Sequence, residues 1–144
     1  MSTPNQPNPE TDQASKGLIM VVEHEQVVRE SVEIVLELDN YEVMSVATGK
    51  QALESLHTCA KLPELIVSDV KVPDMGGLEL LEEVRKERAW MHIPFLFLWG
   101  EYMEPRPPNM AQLLSVGECL QKPFDAEQLL RIVETLLKRR REIN

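Results

Sequence analysis

The stretch IVSDVKVPDMGGLEL, residues 66–80, decides the fold of this chain. In it an apolar run ends at a lone aspartate, Asp69. A lysine, a proline and two glycines follow before a helical pattern begins at Leu78. An apolar run bounded by turn residues is typical of a buried strand, and Gly and Pro mark the turn after it. The stretch therefore predicts a carboxylate at the tip of a buried strand, where the chain turns into a helix.

Outward from this stretch, the chain alternates between predicted strands and predicted helices. Apolar and β-branched runs predict strands at residues 18–22, 41–46, 64–69, 94–99 and 119–121. Apolar residues at helical spacing predict helices at residues 26–38 and 48–57, from Leu78, near residues 110–114, and from Asp125. Asp125 with Gln128 three residues later is close to a capping box. Five strand–helix units in a row predict an α/β fold, a doubly wound parallel sheet with helices on both faces.

Three of the predicted strands lead directly into ionisable residues. Asp69 ends the third strand, Glu23 and His24 follow the first, and Lys122 follows the fifth. In an open α/β sheet the functional site forms outside the carboxyl ends of the strands. We therefore expect these four side chains to lie at one edge of the sheet.

Composition narrows the classes of function. The 144 residues are 43% hydrophobic, which is enough for the core of one domain. A net charge of −9 argues against nucleic acid as a partner and fits a soluble cytoplasmic protein. Cys59 and Cys119 do not make a disulfide framework. No apolar run approaches the roughly 20 residues that span a bilayer, so no membrane role is expected.

The two ends of the chain differ in composition from its centre. Residues 1–16 are polar, rich in Pro, Asn and Gln, and lack the features of a signal peptide, which predicts a disordered tail. Residues 17–138 are predicted to form the domain, and residues 139–144 a short basic tail. The basic cluster at residues 138–141 is interpreted as a solvated helix end, with an anionic partner as the alternative.

Three segments together carry a family resemblance. MVVEHEQ, VSDVKVPDMGGLELL and LQKPFDAEQLL, in this order, resemble the receiver domain of two-component response regulators over about residues 18–137. The resemblance implies a flavodoxin-like (βα)5 fold with strand order 2-1-3-4-5. It implies that Asp69 accepts a phosphoryl group from a histidine kinase or phosphotransfer protein. It further implies that Lys122 holds the acyl phosphate, with a cis peptide before Pro123, and that the backbone carbonyl of Lys71 binds a metal ion.

The metal-binding positions depart from the family pattern. Two acidic residues usually hold Mg²⁺ after the first strand, and here they are Glu23 and His24. Mg²⁺ prefers hard oxygen ligands in octahedral geometry, whereas imidazole suits Mn²⁺, Co²⁺ or Zn²⁺ better. We therefore expect a weak, atypical site formed with Asp69, at which Mn²⁺ binds better than Mg²⁺. Two alternatives need no metal: a protonated His24 pairs with Asp69 in place of the ion, or His24 simply faces solvent.

The switch positions also depart from the pattern. The family has a Thr or Ser hydroxyl at the end of strand four and an aromatic residue on strand five; here these are Trp99 and Cys119. Trp offers only an indole N–H donor. The large side chain thus lies on strand four and the small one on strand five, the reverse of the family pattern. We therefore do not expect the conformational switch of the family to operate here in its usual form. The alternative for Trp99 is plain core packing at the end of a strand.

Two mechanisms remain open, and neither makes the chain an enzyme. In the first, the chain is an atypical stand-alone receiver that is phosphorylated at Asp69. In the second, it is a pseudo-receiver that binds a partner without phosphorylation. Output by protein–protein contact is expected through helix four, strand five and helix five, from a monomer or weak homodimer. A flavin or nucleotide enzyme is disfavoured, because no Gly-rich phosphate loop is present.

Overall fold

The computed structural model describes residues 14–72, 74–100 and 117–143. In these ranges the chain forms five strands and four helices: β1 (Leu18–Val22), α1 (Gln26–Leu38), β2 (Glu42–Val46), α2 (Gly49–Thr58), β3 (Leu65–Asp69), α3 (Gly77–Arg85), β4 (Phe95–Trp99), β5 (Glu118–Gln121) and α4 (Ala126–Ile143). The helix that the sequence predicts near residues 110–114 lies outside the described residues. Within the same ranges, no helix has the length and apolar character needed to cross a lipid bilayer.

The five strands form one parallel sheet in the order β2-β1-β3-β4-β5, which confirms the predicted doubly wound α/β fold. The register sets the end of β3 level with that of β4, because Asp69 pairs with Leu98. The chain places β2 on one side of β1 and then crosses to the other side to form β3. The boundary between β1 and β3 is therefore the topological switch point, where sheets of this kind form their functional sites. The candidate site is therefore expected at the carboxyl ends of β1 and β3.

Two layers of core flank the sheet. One buries side chains of α2 and α3 against it, including Ala52, Leu56, Leu80, Leu81 and Val84. The other buries side chains of α1 and α4, including Val32, Leu36, Leu129, Val133 and Leu137. All five residues of β3 are buried, as expected for a central parallel strand covered on both faces. Burial on both sides holds the backbone of β3, and hence its terminal Asp69, in place.

Local signals explain where the helices begin and end. α4 begins with a reciprocal capping box: Gln128 N donates to Asp125 Oδ1 (2.8 Å) and Asp125 N donates to Gln128 Oε1 (2.9 Å). α1 ends where Asn40 adopts a left-handed φ of 68°. Tyr41 N then donates to Leu36 O at 3.1 Å. Tyr41, predicted to open the second strand, is used to close α1, so β2 begins one residue later.

The last helix extends beyond the predicted domain boundary at residue 138. α4 runs to Ile143, so residues 139–143 of the predicted basic tail form its last turns. Arg141 Nη2 donates to Lys16 O (2.6 Å) and to Glu64 Oε2 (3.0 Å). Lys16 N in turn donates to Asn40 O at 2.9 Å. Basic side chains are favourable at a helix C-terminus, and these find carboxylate and carbonyl partners there. Residues 1–13 lie outside the described part.

Candidate functional site

Asp69 sits at the tip of β3 with 4% of its surface exposed. Its Oδ2 accepts a hydrogen bond from Lys122 Nζ at 3.0 Å, and its Oδ1 accepts one from Lys71 N at 3.3 Å. Each carboxylate oxygen thus faces a donor. The strand fixes the backbone of Asp69, and the two donors fix its carboxylate.

Lys122 reaches the same point from the end of β5. Its backbone N donates to Trp99 O at 2.8 Å, and the Lys122–Pro123 peptide is cis, as the resemblance predicts. Its Nζ lies 2.6 Å from Glu23 Oε1 and 3.0 Å from Asp69 Oδ2, with 18% of the side chain exposed. Burial alone would lower the pKa of this ammonium, but the hydrogen bonds and charges of the two carboxylates raise it above its ordinary value. Lys122 therefore bridges the ends of β1 and β3.

Glu23 is completely buried, although it is charged in its ordinary state. Burial raises the pKa of this carboxyl, the hydrogen bond from Lys122 opposes that rise, and the charge of Asp69 adds to it. Arg29 Nη1 donates to the backbone oxygen of Glu23 at 2.9 Å, which secures the turn between β1 and α1. The sequence suggested Glu23 only as a metal ligand, and its direct contact with Lys122 was not foreseen.

His24 lies beside Glu23 on the solvent side. Its side chain is 42% exposed, and its Nδ1 is 3.5 Å from Glu23 Oε2. The close carboxylate is that of Glu23, whereas the sequence suggested a pairing with Asp69. One ligand atom from each of Glu23, His24 and Asp69 can be chosen so that all three lie within 4.8 Å of one another. Two carboxylate oxygens and an imidazole nitrogen at this spacing fit a divalent cation, so these residues can hold one.

Trp99 and Cys119 lie near the site, on the face of the sheet that packs against α2 and α3. Cys119 is in register with Phe97, whose ring occupies the space between two glycines. A Cβ on Gly77 would come within 3.2 Å of that ring, and one on Gly117 within 3.1 Å. Burial raises the pKa of the Cys119 thiol. On this face of the sheet, β4 therefore supplies an aromatic side chain, Phe97, and β5 supplies the small side chain of Cys119.

The loop after Asp69 is tied to the sheet and to α2. Gly77 N donates to Val70 O at 2.8 Å, and Lys71 forms an antiparallel bridge with Gly76. Asp74 accepts hydrogen bonds from Gly49 N (2.9 Å) and Lys50 N (2.7 Å) at the start of α2. The sequence indicated a turn here but carried no signal for its attachment to α2, which lies about 25 residues away along the chain.

An open groove of about 610 Å³ runs beside the site between α1 and the segment that follows β5. Its walls are mostly apolar, with Val27, Val28 and Val35 on one side and Pro123 and Phe124 on the other. Lys122, which contacts Asp69, also lines it. Val27 is one of the apolar residues whose spacing predicts the first helix, and its side chain is 77% exposed. α1 carries more valines than pack against the sheet, and this excess was the feature of the sequence that could have indicated the groove.

The sequence profile of the family described as response regulator receiver domain matches residues 19–134, most of the chain. The chain belongs to this family. The receiver domain is 32% identical over 129 residues to the sensor kinase CckA of Brucella abortus (strain 2308), covering 90% of this chain and 13% of that protein. It is 32% identical over 124 residues to the response regulator Rre1 of Synechocystis, covering 84% of this chain and 52% of that protein.

Solved structures agree with the family assignment. The chemotaxis response regulator CheY4 of Vibrio cholerae superimposes with a TM-score of 0.72 at 28% identity, covering 86% of this chain and 99% of that one. A CheY-like receiver domain protein of Methanospirillum hungatei gives a TM-score of 0.77 at 25% identity, covering 92% of this chain and 100% of that one. The receiver domain spans only about half of Rre1 and a smaller share of CckA.

Proposed function

We propose that this receiver domain serves cytoplasmic two-component signalling by accepting a phosphoryl group on Asp69 from a histidine kinase or phosphotransfer protein. The observation that carries the proposal is the contact of Lys122 Nζ with Asp69 Oδ2 at 3.0 Å, at the buried tip of β3. A rigid carboxylate beside a fixed ammonium is suited to phosphoryl transfer, because that reaction depends mainly on positioning and on stabilising negative charge.

In the proposed reaction a carboxylate oxygen of Asp69 attacks the phosphorus of a phosphohistidine. A P–O bond forms as the P–N bond breaks, and the electron pair of that bond stays on the departing imidazole. The departing imidazole carries away the charge formerly on Asp69 and takes up a proton from water. Lys122 then donates to the acyl phosphate, whose phosphoryl oxygens bring their own negative charge. The N–H of Lys71, 3.3 Å from Asp69 Oδ1, is a second donor on the opposite side of the carboxylate.

Glu23, His24, Asp69 and the backbone carbonyl of Lys71 would hold a divalent cation. When bound, the cation supplies positive charge that offsets the repulsion between the carboxylates and the phosphoryl group. The imidazole in this set favours Mn²⁺ over Mg²⁺. Lys122 pairs with Glu23 Oε1 and Asp69 Oδ2. Glu23 Oε2 and Asp69 Oδ1 each accept a longer backbone hydrogen bond of 3.3 Å, and each retains a second lone pair for a metal.

The apolar groove between α1 and the segment after β5 is the proposed contact surface for the phosphoryl donor. It adjoins Lys122, so a protein seated in it reaches the acceptor carboxylate. Apolar surface that is exposed in one protein commonly marks a docking site for another. Similarity to a segment of a sensor kinase, as in CckA, and to response regulators such as Rre1 supports a place in a chain of phosphoryl transfers.

Output is proposed to occur by protein–protein contact, since a net charge of −9 disfavours nucleic acid. The expected surface combines the fourth helix of the receiver pattern, β5 and α4. Residues 101–116, which hold the expected helix, lie outside the described part. With Trp99 in place of a hydroxyl and Phe97 filling the space next to Cys119, the signal is proposed to depend on the charge of the phosphoryl group rather than on rotation of an aromatic side chain on β5.

A phosphorylation-independent pseudo-receiver is the second candidate. The specific observation in its favour is that Lys122 bonds Glu23 at 2.6 Å, closer than its 3.0 Å contact with Asp69. The ammonium of Lys122 thus already pairs with both carboxylates, which favours a site that holds together without a phosphoryl group or a cation. In this alternative the unmodified domain binds its partner directly.

Acetyl phosphate separates the two candidates. The protein is incubated with it in the presence of Mg²⁺ and then Mn²⁺, and the intact mass is read against Asp69→Asn. Asp39→Asn is the matched control, since Asp39 is a surface residue that pairs with Lys16 away from the site. A phosphoryl adduct that is lost in Asp69→Asn and kept in Asp39→Asn supports the acceptor role. No adduct with either metal in the folded protein refutes it and favours the pseudo-receiver.

A further inference from the structure

The carboxylate of Asp74 joins two parts of the domain that are distant in sequence. It lies in the loop between β3 and α3, and its two oxygens accept from consecutive backbone N–H groups at the start of α2. The distances are 2.9 Å from Gly49 N to Oδ1 and 2.7 Å from Lys50 N to Oδ2. An anionic acceptor is favourable at a helix N-terminus, where backbone N–H groups have no partner within the helix.

A packing contact supports the same attachment. Met75, the next residue, lies directly over Gly49, and a Cβ on Gly49 would come within 2.4 Å of Met75 Cγ. No side chain larger than hydrogen fits at that position without displacing Met75. The loop thus meets α2 through two bonds and one close contact, all at the first turn of the helix.

The other end of the loop contacts the proposed acceptor. Lys71 N donates to Asp69 Oδ1 at 3.3 Å, and Lys71 pairs with Gly76 across the loop. Gly77 N donates to Val70 O at 2.8 Å, which closes the loop at its base. Asp74 lies between Lys71 and Gly76 in the chain, so its bonds to α2 hold the middle of the loop.

We propose that Asp74 is a positioning residue, which clamps the loop to α2 so that the N–H group of Lys71 stays beside Asp69. The effect of Asp74 on phosphoryl transfer rests on the proposed function, whereas its effect on the position of the loop does not. Without the clamp, the two closing contacts open more often and the loop can move away from the acceptor carboxylate. The start of α2 thereby becomes part of what shapes the site.

Thr48→Ala provides a matched control at the same helix end. Thr48 Oγ1 accepts from Gln51 N at 3.1 Å, so this variant also removes an acceptor from the start of α2. It leaves the loop after Asp69 untouched. A general weakening of α2 affects both variants equally, whereas a positioning role affects Asp74→Ala alone.

The first measurement is amide hydrogen exchange of Lys71 and Gly77 in the unphosphorylated protein. We expect Asp74→Ala to speed exchange at both amides about tenfold, as is reasonable for losing two charge-assisted bonds. Asp74→Asn, which keeps one oxygen acceptor, should give a smaller increase, and Thr48→Ala should stay within about twofold of the parent protein. Equal exchange in Asp74→Ala and the parent, or equal increases in Asp74→Ala and Thr48→Ala, would overturn the proposal.

The second measurement is the initial rate of adduct formation with acetyl phosphate. We expect Asp74→Ala to slow it about tenfold while Thr48→Ala leaves it near the parent rate. If the amides of Asp74→Ala exchange faster but the variant forms the adduct at the parent rate, the positioning role of Asp74 in phosphoryl transfer is overturned. If the parent protein forms no adduct, the acceptor role fails, and the exchange data still decide whether Asp74 holds the loop.

Discussion

Replacing Lys122 with methionine tests the central ion pairs of the site. The change keeps most of the apolar stem and removes the ammonium that bonds Glu23 at 2.6 Å and Asp69 at 3.0 Å. Glu23 is completely buried, so its charge would lose the ammonium and keep the longer contacts of Oε2 with Glu25 N (3.3 Å) and His24 Nδ1 (3.5 Å). Breaking one side of a buried ion pair typically costs 3–5 kcal/mol. Since 18% of the Lys122 side chain is exposed, we expect a loss near the lower end, about 3 kcal/mol at pH 7.5.

The loss should depend on pH. Burial already raises the pKa of Glu23, and without the ammonium it rises further above the ordinary value of 4.5. A carboxyl with a raised pKa binds its proton more tightly in the folded state. Its stabilising contribution is therefore present below the unfolded-state pKa and is lost as pH rises through the folded-state pKa. Stability of Lys122→Met should accordingly fall between pH 5 and pH 7.5, by at most about 1.4 kcal/mol per pH unit.

Urea unfolding followed by circular dichroism at the two pH values measures both effects. Lys86→Met is the control, because Lys86 bonds Glu83 at 2.8 Å on an exposed surface and should matter little. Adding Glu23→Gln to Lys122→Met should recover part of the loss, since the buried charge is gone. A loss below about 1 kcal/mol, or one that is the same at both pH values, would refute the assignment of a buried charge network.

Three further predictions concern the metal, the packing and the groove. His24→Asp should raise Mg²⁺ affinity and reduce the preference for Mn²⁺ in calorimetric titration, since a carboxylate replaces the imidazole; an unchanged Mg²⁺ affinity would contradict a metal role for His24. Gly77→Ala should lower the free energy of unfolding by about 1–3 kcal/mol, because the new Cβ would lie 3.0 Å from Asp69 O and 3.2 Å from the Phe97 ring. A neutral effect in urea unfolding would mean that the ring moves aside freely. Val27→Glu should slow phosphoryl transfer from a donor protein at least tenfold while leaving the acetyl phosphate reaction unchanged, as expected for a charge at the centre of an apolar contact; equal slowing of both would place the defect outside docking.

The order of the elements could be read directly from the sequence. Apolar runs and helical spacings located all five strands and the starts of the four described helices to within one or two residues. The tip position of Asp69 followed from the apolar run that ends there. The cis peptide before Pro123 and the strand order followed from the family resemblance. These features are local, or they belong to a pattern shared by many chains.

The α1 helix shows where periodicity alone was insufficient. Val27, Ile34 and Leu38 are apolar, and they are 77%, 57% and 83% exposed. Helical spacing gives the residues that share a face, but it does not say which face meets the sheet. That depends on the angle at which α1 packs on β1 and β2 and on where the segment after β5 lies.

What the sequence by itself determined is the parallel sheet, the acceptor candidate at its edge, and the lysine and acidic positions around it. Each of these depends on neighbours in the chain or on a family motif. Only the tertiary structure decided that Lys122 bridges Glu23 and Asp69, and that Asp74 binds α2. The physical reason is that these hydrogen bonds join residues that are 24 to 99 positions apart in the chain. Such residues come within hydrogen-bond distance only when the sheet and its helices have folded. No local spacing encodes that distance.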